Sequence, residues 1–439
     1  MIKQVRVALK FLPLALLLGL PLLLSQPATA EPGEPAEPAK LLSPQVGPNW
    51  ASIIPLTNLG NAPQGAERPV VAAAPDGKTV TVAYIKLTAG AGDADPFYRR
   101  STNNGVTWSD AAAIKDTTTL ARQVHVTYDA GNRAHAVWTE AGNIVAYARD
   151  NNWGGAAYTP ISSGLILVEG PRIAASGSNR LDLVWAENDG ADPDIYHAFS
   201  TNGNAATPTW STPKIVHSTA PASTSPDIAV SANGHIHVVW EEQNPSNPTV
   251  ARVHYARSID GGANWSGQVI ISGASNPTDA RRPRIVAAGN VLHVSFTDRE
   301  SSSSQFVHHL ACASNCHNLA SWMSDGKVSG SAVGIHANDP SNSIFSTLTT
   351  HGGCTLIYFY GIGASVDPSN EMVWGSSSCG SWSSRVLLTG PGARAIRPSM
   401  TTQNNWWVYL AYERIAADRS HIWFVRNQPA VYLPFVVRN

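Results

Sequence analysis

The sequence predicts an all-β fold, a closed ring of four-stranded antiparallel blades, and three observations predict it. A turn of the form Ser-x-Asp-x-Gly-x-x-Trp stands at Ser258, Asp260, Gly262 and Trp265, and recurs with Asn at Ser101, Asn103, Gly105 and Trp108. A stretched copy runs from Ser200 and Asn202 to Trp210. Around these turns, short segments of period-2 alternation succeed one another in a fixed order of four, which is the pattern of a β-propeller blade. The chain ends also complement each other. Residues 51–57 read as a fourth strand with no first three, and residues 397–426 as three strands with no fourth. Pairing the two closes the ring and removes the edges that an open sheet would expose.

Taken in order, residues 1–30 read as a secretory signal peptide. Lys3, Arg6 and Lys10 precede the apolar run 11–24, and Ala28-Thr29-Ala30 has the small-x-small cleavage pattern. That run is short of the roughly 20 residues a spanning helix needs, and no later segment is apolar enough to cross a membrane. Residues 31–48, rich in Pro, Glu and Ala, read as an extended linker. The propeller is expected over 49–427. The apolar tail 428–439, with Tyr432-Leu433-Pro434, is either a strand over the closure blade or a retention tail resembling the short Tyr-Leu-Pro-rich C-termini of some secreted bacterial proteins.

Composition agrees with this division: 35 Gly and 30 Pro against 4 Met suit many turns and few helices. A formal net charge of −1 gives no basic field for a nucleic-acid partner. First strands begin at Arg68-Pro69-Val70, Arg122-Gln123-Val124, Pro171-Arg172-Ile173, Pro226-Asp227-Ile228, Arg282-Pro283-Arg284 and Arg397-Pro398-Ser399. Second strands end on an aromatic, at Tyr84, Trp138, Trp185, Trp240, Phe296 and Tyr412. Fourth strands open on a Trp, and Trp50, Trp108, Trp153, Trp210, Trp265, Trp322 and Trp382 count seven blades, with six as the alternative.

The chemistry of the turn is local. Asp or Asn accepts hydrogen bonds within its own turn, Gly supplies φ > 0, and Ser closes a second bond to the backbone. The Trp buries a large surface between neighbouring units. This clasp resembles the Asp-box repeat of the sialidase-like β-propellers. The resemblance implies a secreted or cell-surface protein whose central funnel binds a carbohydrate or a cell-surface protein. Its alternative is an exo-acting glycoside hydrolase of sialidase type. In that family an arginine triad grips a carboxylate while a Tyr–Glu pair and an Asp do the chemistry. Catalytic domains there are six-bladed and carry Arg-Ile-Pro, which Glu67-Arg68-Pro69-Val70 matches only loosely.

Four cysteines fall in two successive blades. Cys312 and Cys316 stand where the fifth clasp should be, while Cys354 and Cys379 lie at the ends of strands expected to pair. Bridges Cys312–Cys316 and Cys354–Cys379 would replace missing clasps. Zinc is the rival reading, although the pairs lack C-x₂-C spacing.

Strand direction sends the first-strand arginines toward the face opposite the clasps. Arg68, Arg122, Arg282 and Arg397 are therefore expected in the funnel, because a guanidinium fork meets a carboxylate with two hydrogen bonds. Glu140, Glu187, Glu242 and Asp298, two places after the second-strand aromatic, are expected to join them with Glu413. Tyr409 and Tyr412 are the nearest candidates for a nucleophile. His235 and His237 share a strand face, which alternation explains without a metal. No cofactor is expected, and a monomer is.

Overall fold

The computed structural model describes most of the chain from residue 49 to 428. Residues 1–48 and 429–439, and several loop segments of which 334–344 and 363–370 are the longest, lie outside the described residues. The expected signal peptide, the whole of the expected linker and the Tyr-Leu-Pro tail fall there.

The described residues form seven antiparallel sheets, six of them with their strands in chain order. Blades 1 to 6 start with the strands Ala66–Ala73, Ala121–Tyr128, Leu167–Ser176, Ser223–Val230, Ala280–Ala288 and Ser346–His351. Blade 7 has Ala395–Gln403, Trp407–Ala416 and Arg419–Gln428, and its outer strand comes from the other end of the chain. Asn49 pairs with Gln428 and Ile54 with Phe424, closing the ring as the two complementary ends predict. Among the described residues helix is confined to three short 3₁₀ turns, Asp150–Asn152, Ile271–Ala274 and Leu319–Ser321.

Each blade buries its faces against its neighbours, so the apolar core is divided among the blade-to-blade interfaces. One cluster joins blades 1 and 2 around Trp138, the next joins blades 2 and 3 around Trp185, and the series ends with Tyr409 and Phe424 of blade 7 against Tyr84 of blade 1. The Trp at or ahead of each outer strand packs on an aromatic of the preceding blade. Trp108 meets Phe424 at 4.7 Å, Trp153 meets Tyr98 at 4.6 Å, Trp210 meets Tyr147 at 5.0 Å and Trp265 meets His197 at 5.2 Å. Trp322 meets Tyr255 at 5.2 Å, Trp382 meets His309 at 5.1 Å and Trp50 meets Tyr358 at 5.6 Å. Six of these seven contacts are edge-on or nearly so, a geometry worth about 0.5–1.5 kcal/mol beyond the area buried.

The clasps are built as their residue types require. Ser258 Oγ donates to Asp260 Oδ1 at 2.8 Å and accepts from Gly262 N at 2.8 Å, while Asp260 Oδ1 accepts from Asn264 N at 2.9 Å. Ser101, Asn103, Gly105 and Thr107 repeat this set, and Ser200, Asn202 and Thr209 a reduced version of it. Gly262 has φ +87°, and a Cβ there would collide with the His197 ring of the preceding blade. Positive φ and close approach together demand glycine at that place.

In blade 5 the disulfide Cys312–Cys316 takes the clasp position, and Trp322 Nε1 donates to Cys316 O at 2.9 Å. Trp108 makes the corresponding bond to Gly105 O at 3.3 Å. Cys354–Cys379 bridges the second and third strands of blade 6 across a separation of 25 residues. A loop of that size corresponds to roughly 3 kcal/mol of lost chain entropy in the unfolded state. Replacing both cysteines by serine should lower the unfolding free energy by about that amount in denaturant titrations. A loss below about 1 kcal/mol would mean that blade 6 is held without the bridge.

Candidate functional site

Six of the seven first strands open with the same backbone irregularity. The register against the second strand shifts between Glu67 and Val70, Arg122 and His125, Glu169 and Arg172, Thr224 and Asp227, Arg281 and Arg284, and Ile396 and Ser399. Within each bulge one residue is left-handed: Arg68, Gln123, Gly170, Ser225, Arg282 and Arg397, with φ between 49° and 59°. Only blade 3 uses glycine. For the other five this backbone costs on the order of 1–2 kcal/mol each, and at Arg68, Ser225, Arg282 and Arg397 a proline follows, which further restricts the residue before it. Bulges of this kind re-aim side chains. Here they turn the side chains into a cavity of about 370 Å³, lined by residues of all seven first strands or their approaches.

Two tiers of side chains face this cavity. Arg68, Gln123, Gly170, Ser225, Arg282 and Arg397, with Phe345 from blade 6, form the outer tier. Two residues further along each strand, Val70, His125, Arg172, Asp227, Arg284 and Ser399 form the inner one. The clasps lie at the other end of these strands. Asn104 N donates to Lys78 O at 2.8 Å, and Arg180 Nη2 to Gly261 O at 2.7 Å, so the clasps adjoin the turns that leave the first strands.

In the outer tier Arg397 Nη1 donates to Glu413 Oε2 at 2.7 Å and lies 3.9 Å from Glu67 Oε2. Arg68 Nε is 3.5 Å from Glu67 Oε1, and its backbone N–H donates to Glu413 at 3.1 Å. Burial, then the neighbouring Arg397, pulls the pKa of Arg68 down. Burial also opposes the charge of Arg397, but Glu413 outweighs it and raises the pKa. Arg282 is different. Its guanidinium lies over the Phe345 ring at 4.6 Å and has no ion pair among the described residues; its Nε, like that of Arg68, is buried without a hydrogen-bond partner. Only its backbone N–H meets a carboxylate, Glu241 Oε2 at 2.8 Å.

The inner tier couples the blades. His125 Nδ1 accepts from Ile173 N at 3.4 Å, Asp227 Oδ2 from Ile285 N at 2.9 Å and Ser399 Oγ from Val71 N at 3.1 Å. Arg172 Nε lies 3.6 Å from Asp227 Oδ1, and Arg284 Nη1 donates to Pro283 O at 2.8 Å. Burial and the proximity of Arg172 bring Arg284 down to about 9. Burial, with Arg172 and Arg284 nearby, pushes His125 well below the usual imidazole range.

Of the arginines expected in the funnel, Arg68, Arg282 and Arg397 line the cavity. Arg122 is exposed, and Gln123 takes its place because the bulge turns the second residue inward. The acidic residues sort by parity. Glu140, Glu187 and Glu242 share a strand face with the aromatic two places earlier and accept from its indole N–H: Trp138 at 2.6 Å, Trp185 at 2.7 Å and Trp240 at 3.1 Å. Asp298 accepts from Thr278 N and Asp279 N at 2.9 and 3.1 Å. These four are buried structural groups outside the cavity lining, a correction to the funnel placement. The carboxylates that do reach the bulges come one place after the aromatic, Glu241 after Trp240 and Glu413 after Tyr412. Tyr409 and Tyr412 are buried in the core of blade 7, with burial raising both phenols far above their usual range.

No protein-family model and no curated protein matches this sequence. Among solved structures, a protein of unknown function from Dyadobacter fermentans superposes with a TM-score of 0.52 at 11% identity, covering 87% of this chain and 100% of the other. A Trypanosoma rangeli sialidase in complex with sialic acid gives 0.44 at 12% identity over 82% of this chain. The phage phi92 endosialidase gives 0.49 at 12% identity over 89%. This chain spans 54% of the trypanosome chain and 71% of the phage one. The likeness is one of fold. Roles for individual residues rest on the cavity itself, in which five arginines face Glu169 and Asp227 as the lining carboxylates.

Proposed function

We propose that this chain is a sialidase-like Asp-box propeller acting outside the cytoplasm, and that its funnel binds the anionic group of a carbohydrate or of a glycan-bearing cell-surface protein. The observation that carries the reading is the Arg282 guanidinium. It faces a cavity of a size usual for ligand sites, stacked on Phe345 and without an ionic partner among the described residues. Arg68 and Arg397, each beside Glu67 and Glu413, flank the same space and shape it. Two disulfides are compatible with an extracytoplasmic setting. No helix among the described residues is long and apolar enough to cross a membrane.

Binding is favoured over glycoside hydrolysis by the fate of the candidate nucleophiles. A hydrolase needs its acid and its nucleophile at one ligand position, and the buried Tyr409 and Tyr412 phenols do not line the cavity. A glycan array on the mature protein should return acidic glycans, and a fluorogenic sialoside should not be turned over. On a ligand so found, Arg282→Ala should weaken binding by about 10- to 150-fold, the equivalent of roughly 1.5–3 kcal/mol for a charged hydrogen bond. The melting temperature should hardly move. Unchanged affinity in a folded variant would rule out Arg282 as the anion clamp.

A further inference from the structure

The inner tier of the cavity is not accounted for by a single anion at Arg282. From blades 3 and 5, Arg172 and Arg284 flank one carboxylate, Asp227 of the blade between them. That carboxylate is itself engaged, since Oδ2 accepts the Ile285 N–H of the next blade. Among the described residues Arg172 has no other ion pair and Arg284 has none; each donates only to the carbonyl of the proline before it. His125 adds a neutral donor. Its Nδ1 accepts the Ile173 N–H, which leaves the proton on Nε2. Glu169 also lines the cavity but pairs with neither guanidinium, and Glu241, whose charge favours Arg284, is taken up by Arg281 and the Arg282 N–H. Two desolvated cations beside one already engaged carboxylate are costly unless another negative group completes the tier.

We propose that the Arg172–Arg284 tier binds a second anionic oxygen group, so that the ligand of the funnel is a dianion such as an acidic disaccharide. This rests on the reading of the outer tier as an anionic-glycan site. Arg282 and Arg284 stand two residues apart on one inner strand, one within the left-handed bulge and one just beyond it, so they offer the cavity two distinct cationic positions. Two separate guanidiniums suit two charged groups, as on adjacent sugar rings, rather than the two oxygens of one carboxylate, which a single fork already meets. Asp227 tunes the inner site by competing for both guanidiniums.

The test uses the full-length chain and calorimetric titration with galacturonate, digalacturonate and inorganic sulfate. The wild type should bind digalacturonate at least 10-fold more tightly than galacturonate. Arg284→Gln should abolish that preference, and Arg282→Ala should weaken both sugar acids. Asp227→Asn keeps an acceptor for Ile285 N and removes the competing charge, so it should widen the preference; this variant guards against a merely misfolded Arg284→Gln. Equal affinities for one and two carboxylates in the wild type, or a preference unmoved by both inner-tier variants, would overturn the proposal while leaving the outer site standing. If neither sugar acid binds, but sulfate does and is weakened by Arg284→Gln and not by Arg282→Ala, the inner site is a free anion's, and both the dianion proposal and the glycan reading fall. Failure of all three probes overturns both.

Discussion

Replacing Trp322 by alanine should destabilise the protein by about 3–5 kcal/mol, the range for emptying a buried aromatic site. Trp322 is 5% exposed, packs edge-on against Tyr255 of the preceding blade at 5.2 Å and donates its indole N–H to Cys316 O. The change therefore removes an inter-blade contact and the bond that ties the outer strand to the Cys312–Cys316 turn. Blade 5 is the sensitive place because its turn carries no Asp box to hold the strand independently. Guanidinium unfolding of wild type and variant, with the slope checked for two-state behaviour, measures the loss. A change below about 1 kcal/mol would show that the disulfide turn seats the outer strand without its Trp.

The Trp count and the complementary chain ends made the ring legible because both are local patterns repeated at a fixed order. Trp50 has no clasp before it, yet it occupies the same inter-blade place as the other six, against Tyr358. The cysteine pairs were legible for the same reason: each replaces a clasp whose absence the repeat exposes. The site was legible only in part. Arg68, Arg282 and Arg397 follow from strand direction, but a one-residue bulge decides which neighbour turns inward, and it favours Gln123 over Arg122. Parity decides the acids in the same way. A carboxylate two places after Trp240 meets the indole, and one a single place after it meets the next blade's bulge. The inner tier carried a signal that went unused, the residue after the first-strand Pro, which is polar or charged in four of five blades, at Arg172, Asp227, Arg284 and Ser399, and Val70 in the fifth. Tracing every second residue of the inner strands would have found it.

Acidification should destabilise the protein well above the pH at which carboxylates normally titrate. Burial, then the nearby His235 and Arg257, brings His237 from the ordinary 6.5 down to about 4. Its ring bridges Tyr255 Oη and Ser231 Oγ, both at 2.8 Å, so the neutral form is built into the interior of blade 4. His293 is likewise held at about 4, by burial and by His309 beside it. Between pH 6.5 and 4 the unfolded chain binds these protons and the folded chain does not, so stability falls as pH falls through that window. For His237 alone the loss by pH 4 is on the order of 3 kcal/mol. Asp95 acts in the opposite sense. Burial raises its carboxyl to about 6, so its protonation on acidification favours the folded form. Asp260, held at about 2 by Asn264 and Ser258, titrates below the window altogether. His237→Gln isolates the histidine, because it keeps hydrogen-bonding capacity and cannot be charged. Unfolding free energies at pH 7 and pH 4.5 should differ less in this variant than in the wild type. Equal differences would mean that the folded protein accommodates the charged His237 ring without penalty, and the acid sensitivity would then have to come from the other buried histidines.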